Sequence, residues 1–274
     1  MKLVRYELQA LNVKLDRPIG DSQVCYRSLE VEILKLFTDC GLMGLGFQEG
    51  CAARSSDCSG SFEAQWLLLE GSHPAAHLNK IARPRGGNQQ STGLSAMADI
   101  ALWDLVSQEA GLPLWRYLGG EDPRVPAYAS TLEFHLPDED AIALIEEFQA
   151  KGFENFKFKI GHRNLNWDIH RLKLLSGALR PGAYFGVDAN EAWCPADAVR
   201  ALHRYREEGI TPAWLEDPCL RDDYRGLAWL NAQSPVPIVT GEYLTVDGKR
   251  RLLEHHAAGY LNIGGSVSAA RQAA

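Results

Sequence analysis

Asn155-Phe156-Lys157-Phe158-Lys159-Ile160 alternates in strict period two. An extended chain therefore puts Lys157 and Lys159 on one face and Phe156, Phe158 and Ile160 on the other. Short apolar runs recur on either side of it, at residues 125–131, 183–188, 213–216, 238–241 and 260–263. Between the runs lie amphipathic stretches of helical period, at 138–151, 167–179, 195–208, 223–231 and 246–258. Strands and helices alternating at these lengths pair the strands in parallel through right-handed crossovers. The region is expected to be α/β, as a β/α barrel or a doubly wound sheet. It has no Gly-rich phosphate loop after an early strand and no nucleophile elbow, so the doubly wound alternative lacks support.

The N-terminal part reads differently. Residues 3–14, 30–38 and 42–48 are strand-like, with a turn at Asp39-Cys40-Gly41, and suggest an antiparallel meander. Met97, Ile100, Ala101, Leu102, Leu105 and Val106 then recur at helical spacing over 94–109, ending at Gly111-Leu112-Pro113, which marks a core helix. A small α+β domain thus precedes the α/β region.

At 274 residues and 46% hydrophobic content the chain can bury a sizeable core. Its 28 basic and 35 acidic residues are interspersed, giving a net charge of −7 and no footprint for nucleic acid or a membrane surface. Met1-Lys2-Leu3-Val4-Arg5-Tyr6 turns polar too soon for a signal peptide, and no apolar run reaches the roughly 18 residues of a bilayer span, so a cytoplasmic location is expected. Cys25, Cys40, Cys51, Cys58, Cys194 and Cys219 lack CxxC spacing and are expected to be reduced, mostly packing residues. A metal or redox pair at Cys51 and Cys58 is disfavoured by the missing His cluster.

If the Phe face of the strand meets the helices, Lys157 and Lys159 project into the interior near its C-terminal end. There, neighbouring ammonium groups disfavour each other's charge and lower the pKa, which suits a lysine general base. Taken alone, Lys-x-Lys is more often a solvated edge-strand face. The acids that follow give it weight: Asp188, Glu216 and Glu242 stand at the ends of the next three strands, in steps of 29, 28 and 26 residues counted from Lys159. Each step fits one strand, one helix and two connections. A single strand-end acid is more often a helix cap or a surface charge. Three in register offer hard oxygen ligands with open positions, which favours Mg²⁺, with Mn²⁺ as the alternative.

Lys157-Phe158-Lys159, Asp188-Ala189-Asn190-Glu191-Ala192-Trp193, Trp214-Leu215-Glu216-Asp217-Pro218 and Gly241-Glu242 resemble the successive active-site motifs of the mandelate racemase branch of the enolase superfamily. The segment from Ala98-Asp99-Ile100-Ala101-Leu102-Trp103-Asp104 to Leu118-Gly119-Gly120 resembles that branch's capping-domain helix and its link to the barrel. The resemblance implies an N-terminal α+β capping domain over residues 1–120 and a (β/α) barrel of the modified TIM type over 121–274. It implies that Asp188, Glu216 and Glu242 bind Mg²⁺, that Lys159 is the base, and that Lys157 holds the substrate carboxylate. Asn190 would contact the substrate, and loops 17–25 and 48–58 would close over the barrel mouth.

Relatives continue through a seventh and an eighth strand, so this chain is expected to be C-terminally truncated, with about six of the usual eight. Its sixth-strand region, Gly259-Tyr260-Leu261-Asn262-Ile263-Gly264-Gly265, supplies neither the Asp nor the Lys that different branches carry there, and His255 and His256 fall at the end of the preceding helix. The expected activity is Mg²⁺-dependent removal of the proton next to a carboxylate, with acid-sugar dehydration as the outcome. Racemisation, epimerisation, cycloisomerisation or an inactive truncated homologue are the alternatives. The expected partner is a small carboxylate of the sugar-acid class, with the chain as a homo-oligomer.

Overall fold

The computed structural model describes residues 1–49, 62–80, 83–85, 90–92 and 94–273. Strands β1 (Leu3–Gly20), β2 (Cys25–Thr38) and β3 (Met43–Glu49) form a three-stranded sheet in that order. β2 and β3 run antiparallel, in register from Val31↔Glu49 to Phe37↔Met43. Helix α1 (Phe62–Leu69), a 3₁₀ turn (Pro74–His77) and the antiparallel pair β4 (Arg83–Arg85) and β5 (Gln90–Thr92) lead to α2 (Ala96–Glu109). Ser95 caps α2 by accepting a hydrogen bond from the Ala98 N–H. The Gly44-Leu45-Gly46 alternation in β3 has a packing cause. A Cβ at Gly44 or Gly46 would overlap the backbone carbonyls of Ala101 and Met97, so only glycine lets the helix backbone lie on the strand. The short helix α3 (Leu114–Tyr117) follows.

The second half alternates as its sequence pattern requires: β6 (Ala129–Ser130), α4 (Asp138–Ala150), β7 (Phe156–Lys159), α5 (Leu165–Gly177), β8 (Phe185–Asp188), α6 (Pro195–Glu207), β9 (Leu215–Glu216), α7 (Tyr224–Gln233), β10 (Ile238–Thr240), α8 (Val246–Glu254) and β11 (Tyr260–Leu261). The six strands are parallel, and each pairs with the next in sequence. A doubly wound sheet would reverse its strand order at a switch point. The sequential order observed is that of a singly wound wall, as in β/α barrels. Phe156, Phe158, Val187, Leu215 and Ile238 pack with Ile145, Leu172, Leu202, Leu230 and Leu252 from the helices in one buried cluster. The apolar face of β7 therefore meets the helices, and the lysine face is left to the interior.

Two compact units partition the chain. The first comprises residues 1–14, 28–125 and 264–274, and the second comprises 15–27 and 126–263. The contiguous division at 120/121 suggested by the sequence is thus interrupted twice. The turn end of the β1–β2 hairpin groups with the parallel sheet, and helix α9 (Val267–Ala273) groups with the first unit. Within that unit the buried Ser268 donates from Oγ to Asp99 Oδ1 and from N–H to Asp99 Oδ2 (2.8 Å), and accepts from Trp103 Nε1 (2.9 Å).

Among the described cysteines, Cys25, Cys40 and Cys194 are exposed and only Cys219 is buried, all as free thiols. The packing role expected of them therefore holds for Cys219 alone, while Cys51 and Cys58 lie outside the described residues. No helix among the described residues is long and apolar enough to cross a membrane.

Candidate metal and proton-transfer site

The register of three neighbouring strands builds the centre of the site. Lys159 lies directly opposite Asp188, and Asp188 directly opposite Glu216. Lys159 Nζ donates to Asp188 Oδ2 at 2.7 Å and to Asn190 Oδ1 at 2.8 Å. Lys157, two residues lower on the same face, reaches Glu216 Oε1 at 2.8 Å and Asp188 Oδ2 at 3.1 Å. Both lysines and both acids are buried.

This geometry corrects one expectation. Burial opposes the charge of Lys157, but Asp188 and Glu216 outweigh it and hold its pKa above the ordinary lysine value. For Lys157, repulsion by a second ammonium group is a weaker effect than attraction to the two carboxylates it sits against.

Glu242 arrives by a different route. Glu216 is in register with Val239, so Glu242 lies three residues further along its chain, past the end of β10. Gly241 turns the backbone there at a φ of 109°, a conformation that L side chains resist, and the Leu244 N–H closes the turn onto Gly241 O at 3.1 Å. Burial, together with the negative charge of Asp188 and Glu216, pushes the Glu242 carboxyl up, against the pull of Lys157 and Lys159.

One oxygen each of Glu216, Asp217 and Glu242 lie within 4.8 Å of one another, which makes these three a group able to hold a cation. Asp217, read from the sequence only as part of a motif, has left-handed backbone (φ 35°) and a buried Oδ1 without a hydrogen-bond partner. Burial pushes its carboxyl up to about 7, with Asp188, Glu216 and Glu242 adding to the shift. Asp188, expected as a ligand, is the fourth carboxylate and is held by both lysines. The donor set is all-oxygen and crowded with negative charge, and it fits a hard divalent cation such as Mg²⁺.

Three further groups complete the surroundings. Asn262, just beyond β11, donates from Nδ2 to Glu216 Oε1 at 2.8 Å. Glu133, buried after β6, accepts the Lys159 N–H at 3.0 Å and a hydrogen bond from Thr131 Oγ1. Gln23, in the turn between β1 and β2, donates to the Asn190 carbonyl, and His135 Nε2 lies 2.9 Å from Val24 O. Loop 17–25 therefore stands beside Asn190, whereas residues 50–58 of the second expected loop lie outside the described residues. His255 ends α8 and stacks on Tyr224 at 5.8 Å, in a helix-end position.

Comparison with known proteins places these residues in context. Residues 140–268 match the family described as enolase C-terminal domain-like. The solved structure of a putative mandelate racemase from Mesorhizobium loti superposes with a TM-score of 0.88 at 37% identity, covering 98% of this chain and 72% of that one. The chain is 36% identical over 160 residues to 3,6-anhydro-alpha-L-galactonate cycloisomerase of Streptomyces coelicolor, a match spanning 58% of this chain and 43% of that protein. It is 27% identical over 273 residues to L-Ala-D/L-Glu epimerase of Bacillus subtilis, over 96% of this chain and 73% of the epimerase. The structure of an L-talarate/galactarate dehydratase mutant liganded with Mg and L-glucarate aligns at 26% identity with a TM-score of 0.80, over 95% of this chain and 69% of the other.

Proposed function

This chain belongs to the enolase superfamily, and on that premise we propose that it removes the proton next to a substrate carboxylate and stabilises the resulting enolate in a Mg²⁺-dependent reaction. The observation that carries the reading is the register of Lys159, Asp188 and Glu216 on adjacent strands, with both lysine ammonium groups on the same carboxylate. Mg²⁺ held by Asp188, Glu216 and Glu242 would supply the positive charge that makes a weakly acidic α-proton removable. Lys159 takes that proton as general base. Lys157, kept cationic by Asp188 and Glu216, holds the substrate carboxylate as a fixed charge. The Asn190 amide, already hydrogen-bonded to Lys159, contacts the substrate beside the base.

The outcome we favour is dehydration of a sugar acid, with loss of β-hydroxide after enolate formation, and the likeness to a dehydratase liganded with a sugar acid supports it. A second reading, epimerisation or cycloisomerisation, is supported by the near full-length alignment with an epimerase and by the cycloisomerase relative. Incubation with Mg²⁺ and a panel of sugar acids and dipeptides in D₂O separates them. A keto acid product supports dehydration, and deuterium-labelled epimers support the second reading. Mg²⁺ binding with neither product and no α-deuterium would refute both.

A further inference from the structure

We propose that Lys249 is a positioning residue for the metal ligand Glu242: its buried ammonium group clamps the turn that carries the carboxylate. The proposal rests on the metal reading above. Gly241-Glu242-Tyr243-Leu244 is a single tight turn, with the Leu244 N–H bonded to Gly241 O at 3.1 Å and Glu242 at its second position. Lys249, one turn into α8, is 5% exposed. Its Nζ donates to both ends of that turn, to Gly241 O and, at 2.7 Å, to Leu244 O. The ammonium therefore bridges the first and last carbonyls of the turn on either side of Glu242.

Both placements are costly. Burying an ammonium against neutral carbonyls loses hydration that an apolar side chain of similar length would not lose. Glu242 itself lies outside the ladder that fixes Asp188 and Glu216, because β10 ends at Thr240. A ligand on an unpaired turn wanders unless something fixes the turn, and in metal sites groups behind the ligands perform that task. The charges complete the case. Burial lowers the Lys249 pKa overall, and Asp217 and Glu242 are the anions that act against that shift, so the ammonium offsets part of the repulsion among the clustered carboxylates.

Isothermal titration calorimetry with Mg²⁺ on the purified chain tests this, alongside melting temperatures without metal. Lys249→Met should weaken Mg²⁺ binding by about 10- to 100-fold, the usual cost of removing a group behind a ligand, while the metal-free melting temperature stays level or rises. Lys249→Gln, which keeps an N–H donor group but not the charge, should fall between Met and wild type. Because Lys249 acts through Glu242, the loss in Lys249→Met/Glu242→Gln should equal that in Glu242→Gln alone. Wild-type affinity in Lys249→Met, or losses that add in the double variant, would overturn the proposal. So would failure of both Lys249→Met and Lys249→Gln to fold, since Lys249 would then be a structural residue. A wild-type chain that binds no Mg²⁺ would instead overturn the metal reading itself.

Discussion

Exchange of Lys159 and of Lys157 for alanine should give different kinetic signatures, because the two ammonium groups share Asp188 but not their other partners. With a substrate in hand, Lys159→Ala should lower kcat by about 10²- to 10⁴-fold through loss of the proton acceptor. Lys157→Ala should raise KM more than it lowers kcat, because it removes a charge that holds the carboxylate. Steady-state kinetics decides, and equal effects on both parameters in both variants would contradict the division of roles. These two lysines, with Asp188 and Glu216, were legible in the sequence because period-two alternation and strand spacing fix them. Asp217 was not. Simple alternation turns it away from Glu216, and only its left-handed backbone brings it to the cluster, a local conformation with no sequence signature. Asn262 was hidden for another reason, since its contact with Glu216 depends on the pairing of β10 with β11.

Asp168 fixes the segment that follows Lys159. It is fully buried at the start of α5 and accepts the Gly161 and His162 N–H groups at 3.2 Å each. Burial pushes its pKa up to about 7, with the two N–H groups offsetting only part of the shift. An unfolded Asp titrates near 3.9, so its contribution to stability is full below about pH 4 and is lost as pH rises through about 7. Asp168→Ala should therefore melt below wild type at pH 5, by a margin that narrows by pH 8. A margin that widens with pH would refute the raised pKa.

Between elements, one tight constraint lies where β8 meets β9. Gly186 faces the Trp214 ring, and a Cβ there would overlap it. Gly186→Ala should cost about 1–3 kcal/mol by overpacking, and Gly186→Ala/Trp214→Ala should recover part of that loss. Chemical denaturation measures both, and additive losses would contradict the clash. Helix boundaries were legible to within a few residues, because caps and apolar period mark them. Strand lengths in the N-terminal hairpin were not. The apolar pattern fades after residue 14 while β1 continues to Gly20, since backbone pairing carries the ladder without it.

At the scale of the whole molecule, the sequential parallel sheet was written in the recurrence of strand and helix, whereas the return of the last helix to the first unit was not. That return depends on Ser268 meeting Asp99 and Trp103, a contact across 169 positions that no periodicity announces. Ser268→Ala should lower stability by about 1–3 kcal/mol, because it leaves a buried carboxylate oxygen and an indole N–H without their partner. An unchanged melting temperature would show that the contact contributes nothing.

Enolate formation at this site is read by α-proton exchange, which does not require turnover to product. The measurement is deuterium uptake at the α-carbon of sugar-acid and dipeptide ligands in D₂O, followed by NMR for wild type with Mg²⁺, wild type with EDTA, and Lys159→Ala with Mg²⁺. Uptake in the first sample alone is the predicted result. Uptake that survives EDTA or the loss of Lys159, or no uptake by a wild-type chain that binds both Mg²⁺ and ligand, would contradict the account.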